Sequence, residues 1–137
     1  MKKWISIVLV IVVITSVLFL TFQSPAGTTH LSEMVRGWAI KIGYKGDGLQ
    51  FRSDFHLVEY FVVGLVVGVF GIERGWKAWL PGVFGCGFGL IDETIKVFLP
   101  TREFGAVDVV KDFIGVWVAV AIVYLGSYLG RRGHRVE

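Results

Sequence analysis

The chain has 137 residues, 54% of them hydrophobic, with a mean hydropathy of +0.66 and a formal net charge of +3. That length bounds it to a single small domain, 1–137, and that hydropathy excludes an ordinary soluble globule. The basic residues form no cluster of the nucleic-acid-binding kind, and a lone cysteine, Cys86, excludes an internal disulfide.

A bilayer core takes about 20 consecutive apolar residues in a helix. Trp4 to Phe22 is the first such run and carries no charge. Lys2 and Lys3 before it and Ser24-Pro25-Ala26 after it resemble the ends of a secretory signal. The run is long for a signal core, and Pro25 sits inside the would-be cleavage site, so the segment is expected to remain as span one. Next comes "HLSEMVRGWAIKIGY", His30 to Tyr44, in which Leu31, Met34, Val35, Trp38 and Ile42 recur at helical spacing. Glu33, Arg36 and Lys41 fall elsewhere on the turn, which predicts an amphipathic helix. It either lies in the outer membrane interface or packs its apolar face on the bundle. "KGDG" closes it as a turn. Phe55 to Ile72, Ala78 to Leu99 and Phe113 to Gly130 are spans two, three and four. The expected fold is all-α: a polytopic four-transmembrane-helix bundle with an interfacial helix in its first outer loop.

Seven Lys and Arg crowd the N-terminus, the 2–3 connection and the C-terminal tail. Six others are spread along the longer 1–2 and 3–4 connections among acidic residues. The positive-inside rule therefore places both termini in the cytoplasm, with Trp76 and Trp79 marking the inner interface of span three.

"GLIDETIKVFLP", Gly89 to Pro100, puts Asp92, Glu93 and Lys96 inside a span. Gly82, Gly85, Gly89, Glu93 and Lys96 are spaced by three or four and share one helix face. Asp92 lies beside that face and is placed to pair with Lys96 at i,i+4. On span two, His56, Tyr60, Gly64, Gly68 and Gly71 form a matching stripe with Glu59 next to it. Glycines at this spacing let helix backbones approach in lipid, so the ionisable groups are expected to point into the bundle. Glu93 lies about 9 Å and Glu59 about 6 Å below the outer ends of their spans, a shared depth at which both face one outward cavity. Intramembrane charges are costly, which marks the cluster as a candidate site. The alternative is structural: an Asp92–Lys96 ion pair, and Glu59 bonded to Tyr or His neighbours. Asp108 likewise has two readings, a cap of span four or a site residue, with Asp112 complementing that helix's positive end. A metal centre from His56, Glu59 and Glu93 is chemically feasible, but no HExxH or clustered-ligand spacing supports one, and no metal or cofactor is expected.

"FQSP", "HLVEY", "DETIKVFLPTR" and "DVVKDFIGVWVA" occur in that order at the ends of successive spans. This arrangement resembles the VanZ-like family of small bacterial integral membrane proteins, over nearly the whole chain. The matching residues are Ser24, Pro25, His56, Tyr60, Asp92, Glu93, Phe98, Pro100, Arg102, Asp108 and Gly115. Lys96 stands where the family usually has Gln, and Asp112 where it usually has Asn. The resemblance implies the cytoplasmic (inner) membrane of a bacterium and a link to low-level teicoplanin resistance, but no known reaction.

The expected site is an outward polar cavity walled by His56, Glu59, Tyr60, Asp92, Glu93, Arg102, Asp108 and Asp112. Its expected partner is an anionic membrane lipid or lipid-linked cell-envelope precursor, with Arg102 and Lys96 receiving phosphate. One alternative is an intramembrane enzyme with His56, Glu59 and Glu93 as acid–base groups acting through activated water, since no nucleophilic triad is visible. A purely structural or assembly role is the other.

Overall fold

The computed structural model describes residues 3–22, 25–99 and 104–133. Ser24, Pro100, Arg102 and the end of the basic tail lie outside them. The described residues form five helices and no strand: α1 (Lys3–Phe22), α2 (Pro25–Lys41), α3 (Gly48–Glu73), α4 (Trp79–Val97) and α5 (Ala106–Gly133).

Local chemistry sets the helix ends. Asp47 caps α3, its carboxylate accepting from the Gln50 N–H at 2.8 Å. Gly75, at φ +71°, ends the same helix in the left-handed region. The Trp76 N–H returns to the Gly71 carbonyl at 2.8 Å and Gly75 N–H to that of Ile72 at 3.1 Å, a Schellman closure. The four expected spans all fall on helices, yet α3 and α5 each begin seven residues ahead of the predicted span. Span limits follow hydropathy, whereas a helix runs on past the apolar region until a cap stops it. Two helices are long and apolar enough to cross a membrane: Trp4–Phe22, of mean hydropathy 2.9, and Gln50–Glu73, of mean hydropathy 2.0.

Contacts fix the directions. A Cβ on Gly64 would lie 2.6 Å from the Val116 carbonyl oxygen, and one on Gly71 2.9 Å from the Tyr124 hydroxyl, so α3 and α5 run parallel. Gly71 faces Pro81 while Gly89 faces Tyr60, so α4 runs against α3. Thr21, at the end of α1, bonds Asp92, and Lys96 one turn further along α4 reaches His56 near the start of α3, so α1 also opposes α3. The result is an up-down-up-down bundle. Tyr60, Val63, Val116 and Val120 form its core with Val17 and Cys86.

The polarity of the bundle is inverted. Asp92, Glu93, Lys96 and Asp112 are buried, while large apolar side chains such as Trp4, Ile11, Phe19, Phe84 and Leu129 are exposed. Met34 and Trp38 of α2 are exposed too, at 54% and 69%, as is Ile42 just past its end at 89%, while Val35 is half-buried. Of the two readings of that helix, packing on the bundle is therefore not what the three exposed side chains do.

Candidate functional site

The ionisable side chains gather where α1 and α4 end and α3 and α5 begin. α4 delivers Asp92, Glu93 and Lys96 within its last two turns. Lys96 Nζ donates to Glu93 Oε1 in a short contact and lies 3.4 Å from Asp92 Oδ2. The expected i,i+4 partner is thus secondary to the i,i+3 one. Glu93 Oε2 accepts from the Gly105 N–H at 3.1 Å, just ahead of α5. Asp92 Oδ1 takes a short hydrogen bond from Thr21 Oγ1, tying the end of α1 to α4.

His56, on α3, stands between two elements. Its Nδ1 is 3.4 Å from Asp112 Oδ1 and its Nε2 is 3.4 Å from Lys96 Nζ. Tyr60 and Asp112 are fully buried, and neither the phenol oxygen nor either Asp112 carboxylate oxygen has a hydrogen-bond partner. Both therefore hold unused hydrogen-bonding capacity in a dry place, which is costly unless something else engages it.

No protein-family model, curated protein or solved structure matches this chain. What the site does must be read from its geometry.

Tyr60, Asp92, Glu93 and Asp112 are packed on one another without exposure, so they line no open space; His56, Glu59 and Asp108 keep partial exposure. Glu59 does not join Glu93. It faces α1 across a groove of about 280 Å³ walled by Val13, Val17, Leu20, Phe55, Val58 and Val62. The group that does converge is His56, Glu93 and Asp108, whose donor atoms lie within 4.8 Å of one another. A metal-capable set is thus present, with Asp108 in the place expected of Glu59. Asp108 is not a cap. It lies in the first turn of α5 and accepts from Ser53 Oγ at 2.7 Å. Arg102 lies outside the described residues.

Three contributors were not foreseen. Thr21 is one of four hydroxyl residues in the apolar run Trp4–Phe22, and the one that bonds Asp92. Ser53 sits one turn before His56, and Lys111 donates to Ser53 at 2.8 Å and to Asp54 at 2.9 Å. Tyr44 donates to the other Asp54 oxygen at 2.9 Å, extending this rim network to the first loop. The available signal was spacing: Ser53 and Asp54 share the His56 turn, and Lys111 adjoins Asp112.

Electrostatically, among the described residues three fully buried carboxylates, Asp92, Glu93 and Asp112, face one buried ammonium, Lys96. Such a set draws in positive charge, because uncompensated buried ions cost several kcal/mol each. Lys96 is occupied on both sides by carboxylates and has no free face for a phosphate.

Proposed function

We propose that the chain is a four-span, VanZ-like membrane protein, N-in and C-in in a bacterial inner membrane, that binds a membrane lipid or lipid-linked envelope precursor at the outer end of its bundle. The inverted polarity supports the membrane setting: apolar side chains cover the outside, and charges lie within. The alternating directions support four spans, with α4 about 28 Å and α5 about 42 Å long at 1.5 Å per residue. A role in glycopeptide resistance rests on the resemblance alone.

One observation carries the ligand reading: the groove between α1 and α3 is apolar along its walls and has Glu59 on its lining. Among the described residues no hydrogen bond reaches that carboxylate. An acyl chain fits the walls, and the headgroup then meets Glu59. Charge selects the headgroup. The surrounding cluster is rich in carboxylates, so an amine-bearing headgroup is favoured over the anionic one expected from sequence. The test is lipid retention by the full chain from nanodiscs of equal phosphatidylethanolamine and phosphatidylglycerol, read by native mass spectrometry. Retained phosphatidylethanolamine is expected in excess. Glu59→Gln should reduce that preference about 10-fold, the worth of one charge-assisted hydrogen bond. Preference for phosphatidylglycerol, or no effect of Glu59→Gln, refutes the reading.

A second reading, acid–base catalysis on a lipid-linked substrate, is favoured by the His56–Asp112 pair, in which a carboxylate orients an imidazole. Turnover of a reconstituted lipid that is lost in His56→Asn would support it. Retention of the lipid without turnover returns the site to binding.

A further inference from the structure

The cluster contains a second site that neither the groove nor Glu59 explains. His56, Glu93 and Asp108 come from three different helices, and their donor atoms meet within 4.8 Å. Bound to one ion of zinc size at about 2.1 Å each, such atoms sit about 3.4 Å apart, which small side-chain rotations supply. A histidine that ligates a metal through one ring nitrogen usually gives the other to a carboxylate, which fixes its tautomer and its aim. Asp112 provides that carboxylate. It is fully buried, makes no hydrogen bond, and holds Oδ1 3.4 Å from His56 Nδ1, leaving Nε2 for ligation.

Charge balance points the same way. Among the described residues, the fully buried carboxylates Asp92, Glu93 and Asp112 outnumber the buried ammonium of Lys96 by two. With Asp108 the excess is three, and a divalent cation offsets most of it without protons.

We propose that His56, Glu93 and Asp108 bind one divalent first-row cation of the zinc class, with Asp112 orienting the imidazole and Lys96 competing for the same place. The donor set of one imidazole and two carboxylates suits zinc or manganese better than the all-oxygen preference of magnesium or calcium. Competition follows from position: Lys96 Nζ sits on Glu93 Oε1 and 3.4 Å from His56 Nε2. Metal entry displaces it toward Asp92 Oδ2, its other partner at 3.4 Å. Lys96 thereby sets how tightly the metal is held. This site is independent of the lipid groove, because lipid retention reads Glu59 whereas metal uptake reads His56 and Asp108.

The experiment is Zn²⁺ titration of the metal-stripped full chain in detergent, with stoichiometry by elemental analysis and folding followed by circular dichroism. About one Zn²⁺ per chain is expected, with no comparable uptake of Mg²⁺ or Ca²⁺. His56→Asn and Asp108→Asn, folded by circular dichroism, should each weaken uptake at least 10-fold, and Asp112→Asn about 10- to 100-fold. Lys96→Met should tighten it at least 10-fold, a gain that a purely structural ion pair does not give. His30→Asn, on exposed α2, should change nothing. Absence of stoichiometric Zn²⁺ from both the wild type and Lys96→Met overturns the proposal, as does full uptake by folded His56→Asn.

Discussion

Gly115 lies at one of the closest backbone approaches in the bundle, and it offers a quantitative test of the packing. A Cβ at this position would lie 2.5 Å from the Leu57 carbonyl oxygen, 2.9 Å from the Phe61 nitrogen and 3.2 Å from the Tyr60 carbonyl carbon. All three are backbone atoms of α3, so no side-chain rotation relieves them. A carbon and a carbonyl oxygen rest comfortably at about 3.3 Å, so α3 and α5 must part by about 0.8 Å at this level. Overpacking of that kind costs about 1–3 kcal/mol. Against it stands about 1 kcal/mol from the better helix propensity of Ala. Gly126 is the control on the same helix: nothing lies within 4 Å of its Cβ position, so Gly126→Ala collects the propensity gain alone. The expected gap between Gly115→Ala and Gly126→Ala is therefore about 1–3 kcal/mol, with Gly115→Ala the less stable. Equilibrium unfolding in mixed micelles, by circular dichroism against the mole fraction of denaturing detergent, measures it. Equal stability of the two variants would show that the α3–α5 crossing does not close on Gly115, and the bundle described above would be wrong there.

Glu93→Gln removes the closer partner of Lys96, leaving it Asp92 at 3.4 Å, and weakens the Gly105 contact, so it should lower stability by about 2–3 kcal/mol, the worth of charge-assisted hydrogen bonds. Asp92→Asn keeps that pair and weakens only the Thr21 contact and a longer ion pair, so its loss should be about 1–2 kcal/mol. The same unfolding assay decides; a larger loss for Asp92→Asn would restore the i,i+4 pairing expected from sequence. For topology, alkaline phosphatase fused at the C-terminus should be inactive and fused within the 32–54 segment active, and the reverse pattern would put the carboxylate cluster on the cytoplasmic side.

The helices were legible because long apolar runs admit little else, and the inward faces because glycine and charge repeat every three or four residues. Less was legible where two answers share one spacing. Lys96 reaches either Asp92 or Glu93 from the same helix, and only the bulk of neighbouring helices selects between them. The glycine stripe of α3 was equally ambiguous. Gly68 has ordinary contact with Val123, at 3.4 Å, while Gly64 meets backbone. Its counterpart Gly115 stands alone on α5 at that level and forms no stripe. Asp108 and Glu59 exchanged roles for a similar reason: depth along a helix can be counted from sequence, but azimuth relative to a partner helix cannot. Thr21, Ser53 and Lys111 escaped notice because each acts across helices distant in the chain.

The distribution of charge at the outer end has a backbone cause. α3 and α5 begin there and present positive dipole ends, which suits Asp108 in the first turn of α5 and the Asp47 cap of α3. α4 finishes there and presents a negative end, the wrong place for Asp92 and Glu93 on dipole grounds alone. Two contacts offset the mismatch. Lys96 supplies a cation in the last turn of α4, and Glu93 extends to the Gly105 N–H at the start of α5, borrowing the positive end of the neighbouring helix. Lys96 is therefore engaged by its own helix and by both acids before any ligand arrives. Among the described residues, an anionic group approaching this end meets carboxylates whose one buried counter-ion is already in use. That distribution of charge is the ground for the two proposals made above, an amine at Glu59 and a metal ion at His56.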